Sequence, residues 1–89
     1  MERIELHIFG RVQGVLFRQA ARRHAEKLGL TGWIRNENDG SVHAVAEGGS
    51  AELEQFLDWC RSGPPLARVD RIAVEKREAT GEFSDFRIL

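Results

Sequence analysis

One stretch of the chain, Gly10-Arg11-Val12-Gln13-Gly14-Val15-Leu16-Phe17-Arg18, gathers residue types that can capture an anion. Gly14 permits the positive φ that lets consecutive backbone amides curl into a concave nest. The apolar pattern beyond it becomes helical, so the segment leads into a helix N-terminus, where free N–H groups and the dipole favour negative charge. Arg18 falls at the start of that helix, from which its guanidinium can reach back over the loop. Such a fork gives two parallel, charge-assisted hydrogen bonds to phosphate oxygens, and so orientation as well as attraction. Glycines are common where a strand passes into a helix, and an arginine at a helix start is usually solvated. On residue types alone the bland alternative stays open.

The elements that must position this loop follow from periodicity. Ile4, Leu6 and Ile8 alternate with Glu5 and His7, the pattern of a strand with one buried face, and the alternation stops at Gly10. Phe17, Ala20, Ala21, His24, Ala25 and Leu28 then fall on one helical stripe, ended by Gly29. Thr31–Glu37 and Ser41–Glu47 read as strands joined by the tight turn Asn38-Asp39-Gly40. Gly48-Gly49-Ser50 breaks the strand and offers a helix cap, with Glu52 and Glu54 favourable in the first turn. Leu53, Phe56, Leu57 and Cys60 mark a second apolar stripe, which Gly63-Pro64-Pro65 ends. Val69–Arg77 reads as a strand, and Phe83–Leu89 as a short final one after the Thr80-Gly81 turn.

The order β-α-β-β-α-β with one extra C-terminal strand predicts an α+β fold. Two helices with single apolar stripes can both cover one face of an antiparallel sheet and leave the other to water. This is the ferredoxin-like, split β-α-β sandwich. The fold alone does not name a function, because it hosts enzymes, RNA binders and regulatory modules.

Composition narrows the classes. The 89 residues suffice for a single domain, 1–89, and the 42% hydrophobic and 30% charged content is that of an ordinary globular protein. A net charge of −1 argues against a general nucleic-acid or membrane-surface binder. The single cysteine, Cys60, rules out an internal disulfide. Met1-Glu2-Arg3-Ile4-Glu5 lacks the basic-then-apolar pattern of a signal peptide, and no apolar run approaches the roughly 20 residues that span a bilayer. A cytoplasmic protein is expected, with no membrane or nucleic-acid partner; a monomer is the default, since the sequence carries no oligomer signal.

Other reactive residues have plainer readings. Cys60 lies on the second helix's apolar stripe with no basic neighbour to activate it, so a buried, inert thiol is expected. His24 reads as a packed side chain. His7 and His43 have outward parity on strands that should be neighbours, but two ligands rarely make a purposeful metal site. Arg22, Arg23 and Lys27 form a basic patch, with Glu26 four residues after Arg22 to pair with it. Trp33 and Trp59 read as packing residues.

Longer motifs decide between the readings of the loop. Gly10–Arg18 resembles a signature of the acylphosphatase family. Leu28-Gly29-Leu30-Thr31-Gly32-Trp33-Ile34-Arg35-Asn36 resembles a second signature, and the Asp39-Gly40 turn follows it. Gly63-Pro64 with Ala67 and Val69 is similar to the family's approach to its fourth strand, and Phe86-Arg87-Ile88 to its ending. Leu16 and Glu37 occupy places where that family tolerates variety. The similarity covers nearly the whole chain.

The resemblance implies hydrolysis of carboxyl-phosphate mixed anhydrides to a carboxylate and inorganic phosphate, with no metal and no cofactor. Matched position by position, a catalytic arginine falls on Arg18 and a water-orienting asparagine on Asn36. The amides that cradle phosphate lie among Gln13, Gly14, Val15, Leu16, Phe17 and Arg18. The implied partner is a small-molecule acyl phosphate, with inorganic phosphate as product and inhibitor.

These residue types suit that chemistry. An acyl phosphate is already activated, since its leaving group is a stable carboxylate, so holding the phosphate and aiming one water does most of the work. An asparagine amide offers both acceptor and donors and can fix a water's direction without taking its proton. No carboxylate or histidine is placed by the motifs beside Asn36, although Glu37 and Asp39 are near it in sequence. The substrate's own phosphate is the expected proton acceptor. Two other functions compete. A phosphate-binding module without turnover has no need of Asn36. An RNA-binding sheet needs exposed aromatics, whereas the outward positions include Glu5, His7, His43, Val45 and Glu47.

Overall fold

Ile4, Leu6 and Ile8 are buried and Glu5 and His7 face the other way in the computed structural model, which describes residues 1–89. Their strand, β1 (Glu2–Arg11), continues past Gly10 instead of ending there. Its pairing shifts register between Phe9 and Gly10, forming a bulge. Gly10 has φ +134°, and a Cβ would stand 2.1 Å from the Arg68 carbonyl oxygen, so this position requires glycine.

The chain continues through α1 (Phe17–Lys27), β2 (Thr31–Asn36), β3 (Val42–Gly48), α2 (Ser50–Ser62), β4 (Arg68–Glu78) and β5 (Phe86–Ile88). The expected order therefore holds, and the sheet runs β4-β1-β3-β2-β5. Four strands pair antiparallel, as predicted, but β5 pairs parallel to β2, so the five-stranded sheet is mixed. The path of the chain explains the difference. β4 ends beside the start of β1 and the end of β3, at one end of the sheet. The following segment crosses that end and enters beside the start of β2, already pointing along it.

Phe17, Ala20, Ala21 and Ala25 of α1 and Leu53, Phe56, Leu57 and Cys60 of α2 are buried. Most of them join Ile4, Leu6, Ile8, Ile34, Val42 and Ala44 in one core on the helix side of the sheet. The cap expected within Gly48-Gly49-Ser50 falls on Gly49, which holds the position with its backbone alone, since β3 runs through Gly48 and Ser50 already lies in the helix. The other face is not simply left to water. Every residue of β3 is buried, including the outward-facing His43, Val45 and Glu47, because side chains from β1 and β2 lie over this central strand.

Candidate active site

The loop between β1 and α1 is pinned by alternate side chains. Val12, Val15 and Phe17 are 1%, 3% and 1% exposed, while Gly14 and Leu16 are exposed and Gln13 and Arg18 half-buried. Val15 and Phe17 thus contribute packing, and only their backbone is free to meet a ligand. Gly14 has φ +73° and Leu16 has φ +66°, so two left-handed residues flank Val15. Alternation of this kind curls successive N–H groups toward one point. The Leu16 conformation costs about 1–2 kcal/mol for a side chain with a Cβ, and the buried neighbours on either side hold it there. The N–H groups of Gln13, Gly14, Val15 and Leu16 donate to no protein acceptor. No side chain caps α1, and its first turn holds no acidic residue, so the positive end of the helix is uncompensated by the protein.

Arg18 stands at this end, half-buried, with no carboxylate in ion-pair distance. The remaining cations are exposed, apart from Arg3, which pairs with Glu47 and Glu82. The concave regions of the surface lie elsewhere: one beside Trp33, Phe83 and Arg87, one beside Met1 and Phe83, and one around His7, Asp39 and His43. The loop is a crescent of donors on the surface.

Asn36 ends β2, opposite Val42, and is exposed. Its neighbours Arg35 and Glu37 both turn to the open sheet face, where they bind each other at 2.6 Å and Glu37 also approaches His43. Alternation along the strand therefore directs Asn36 to the opposite side, that of the helices and the loop. Its carboxamide bonds to no protein group. A structural role in closing the following turn is thereby removed, since other residues do that: Asp39 accepts from the Ser41 N–H at 2.9 Å and the Ser41 hydroxyl at 2.6 Å.

Gln13 links the two halves of the site. Its Nε2 donates to the Glu37 carbonyl at 2.8 Å and the Ser41 carbonyl at 2.9 Å, tying the loop to the turn that begins one residue after Asn36. Sequence reasoning placed Gln13 only among the backbone donors and missed this side-chain tether. Its partners are 24 and 28 residues away, and no local pattern announces them.

The nearby carboxylates are poor bases. The Arg35 hydrogen bond holds the Glu37 carboxyl below its ordinary value despite some desolvation, with His43 adding to the effect. Hydrogen bonds from Ser41 do the same for Asp39. The other singled-out residues fall where expected. His24 stacks on Trp59 at 4.4 Å, and burial, then Lys27 and Arg23, lower its pKa, so its ring packs as a neutral one. Cys60 is fully buried and burial drives its thiol far up, which makes it inert. Arg22 pairs with Glu26 at 3.3 Å. Trp59 tilts against Phe17 at 5.5 Å, whereas Trp33 lies on the open face, edge-on to His43 and under the Arg35 guanidinium. His7 and His43 do stand opposite each other, and Glu5 joins them.

A ferredoxin-like α+β protein with an anion-receptive strand-to-helix loop is the class these features define. The family model described as Acylphosphatase matches residues 4–88. A Methylococcus capsulatus acylphosphatase is 51% identical over 89 residues, covering 100% of this chain and 97% of that relative. One from Pelotomaculum thermopropionicum is 48% identical, covering 99% and 98%. The crystal structure of Bacillus subtilis acylphosphatase superimposes with a TM-score of 0.96 at 34% identity, covering 100% of this chain and 99% of that one. The chain belongs to the acylphosphatase family and is an enzyme of that kind, acting on acyl phosphates.

Proposed function

We propose that the chain hydrolyses a small-molecule acyl phosphate with Arg18 and the loop amides as the phosphate site and Asn36 as the residue that aims the water. The observation that carries this reading is the coincidence of two left-handed residues, Gly14 and Leu16, unengaged N–H groups between Gln13 and Leu16, and an unpaired, half-buried Arg18. The amides from Gln13 to Arg18 surround the phosphoryl oxygens, and Arg18 takes two of them in its fork. Asn36, directed to the same side and free of protein partners, accepts one hydrogen bond from a water and lines it up behind phosphorus. The water oxygen bonds to phosphorus as the bond to the acyl oxygen breaks, and the carboxylate leaves with the electron pair. The water's proton passes to a phosphate oxygen, since Glu37 and Asp39 are held ionised by their own partners and turned to other work. The leaving carboxylate needs no acid, and the charge of the transition state is met by fixed donors, so the chemistry calls for neither metal nor cofactor.

Inorganic phosphate fits the same donors and inhibits as product. The enzyme acts as a cytoplasmic monomer. Titration with inorganic phosphate, followed through backbone amide resonances, tests the site. The expected shifts centre on Gln13–Arg18 and disappear in Arg18→Ala, while Asn36→Ala keeps them. Shifts that centre elsewhere would reject the loop as the phosphate site.

A further inference from the structure

The sheet face without helices carries a second cluster of reactive side chains. His7 and His43 stand directly across from each other on β1 and β3, their rings stacked with centroids 4.1 Å apart and planes at 23°. Glu5, two residues before His7 and on the same face, directs Oε2 at both rings. That oxygen lies 2.6 Å from His43 Nε2 and 3.8 Å from His7 Nε2. One ligand atom from each of the three residues falls within 4.8 Å of the others. A tetrahedral zinc ion with bonds of about 2.0–2.1 Å holds its ligand atoms about 3.3 Å apart. Small side-chain rotations therefore bring the trio onto one ion.

We propose that Glu5, His7 and His43 bind a single first-row divalent transition-metal ion of the zinc or cobalt(II) type, with Glu37 as the outer partner of His43. The second nitrogen of His43 supplies an independent reason. Its Nδ1 lies 3.4 Å from Glu37 Oε1, and Glu37 is held in place by Arg35 at 2.6 Å. A carboxylate on the far nitrogen of a ligating histidine fixes the ring's tautomer and aim, the usual second layer of such sites. Trp33 sets its ring edge-on against His43 at 4.8 Å, which limits the ring further. The two strands that carry the ligands are neighbours inside the sheet, each paired on both sides.

The donor set selects the metal. Two imidazoles and one carboxylate suit zinc, cobalt or nickel, whereas calcium and magnesium prefer oxygen ligands in greater number. The site keeps open positions toward solvent on the side of His7, whose side chain is 37% exposed. Metal binding replaces the direct Glu5–His43 hydrogen bond. Metal binding on this face is independent of the phosphate site and is read spectroscopically.

The test is a titration of chelator-stripped protein with cobalt(II), then with zinc. The expected result is one equivalent of bound cobalt with the strong visible absorption of a low-coordinate ion, bleached by one equivalent of zinc. His7→Gln and Glu5→Gln should each abolish that absorption, and Glu37→Gln should keep it while weakening affinity about 10–100-fold. Zinc added to the unaltered protein, followed through imidazole nitrogen resonances, covers the case of a variant that fails to fold. Shifts at the Nε2 atoms of His7 and His43 with His24 unmoved support the site. Cobalt retaining the weak spectrum of its hydrated ion, absorption that survives His7→Gln and Glu5→Gln, or shifts centred on His24 would each overturn it.

Discussion

Arg3 and Arg18 are the two lysine or arginine residues of this chain that are half-buried, and the fold treats them in opposite ways. Arg3 pairs with Glu82 at 3.1 Å and Glu47 at 3.5 Å and lies 5.5 Å from the centre of the Phe83 ring. Glu47, only 4% exposed, also accepts from the Thr80 N–H at 2.9 Å, the Gly81 N–H at 3.0 Å and the Thr80 hydroxyl at 3.1 Å. At that end of the sheet the protein supplies both the loop amides and the anion that satisfies them. The result is a lock on the crossing segment that carries the chain from β4 to β5. At the other end, Arg18 and the amides of the β1–α1 loop offer the same kind of donors, and no carboxylate of the protein meets them. Charge matched internally serves stability, whereas charge left unmatched stays available to an external anion, the role proposed above for Arg18.

Substitutions at the two ends should separate these roles. The largest effect is expected from Arg18→Ala, with kcat/KM for an acyl phosphate falling about 10³-fold and phosphate affinity falling with it. Its melting temperature should stay at or above that of the unaltered protein, because no internal ion pair is lost. Asn36→Ala should reduce kcat about 10²-fold in steady-state assays with phosphate inhibition unchanged. A near-normal kcat would remove Asn36 from the mechanism.

Glu47→Ala should do the reverse. It leaves the Thr80 and Gly81 N–H groups without their acceptor and costs about 2–3 kcal/mol in chemical denaturation, with kcat per folded molecule unaltered. The same carboxyl makes stability pH-dependent. Burial alone would push it up, but the bonds from Thr80 and Gly81, with Arg3 nearby, hold it below its ordinary 4.5. A lowered folded-state value means the stabilisation is complete above pH 4.5 and is lost as pH falls through the lower folded value. Denaturation midpoints of Glu47→Gln should therefore fall less steeply below pH 4.5 than those of the unaltered protein. The smallest effect is expected at Gln13, whose side chain supports the site from behind. Gln13→Ala should cost about 1–2 kcal/mol of stability and only a modest part of kcat/KM.

The two ends also differ in how much the sequence disclosed. The loop was legible because its information is local: a glycine, an arginine at a helix start, and a change of hydrophobic period at Phe17 all lie within a few residues. The strands and helices were legible for the same reason, as Leu53, Phe56, Leu57 and Cys60 show by packing together as one stripe. The lock at Glu47 was not, because an outward strand carboxylate has no local mark that its partners lie more than 30 residues on. The parallel entry of β5 had the same origin, since it depends on where the crossing segment lands. Gln13 and the Glu5–His43 contact likewise join residues 24 or more positions apart, and alternation assigns each a face without naming its partner.

The unmatched donors around Arg18 are proposed as a catalytic phosphate site. Release of inorganic phosphate from benzoyl phosphate, with chelator present, tests this on the unaltered protein, Arg18→Ala and Glu47→Ala at equal folded concentration. The expected result is fast turnover by the unaltered protein and by Glu47→Ala, and almost none by Arg18→Ala. Turnover that persists in folded Arg18→Ala, or that the chelator abolishes in the unaltered protein, would contradict it.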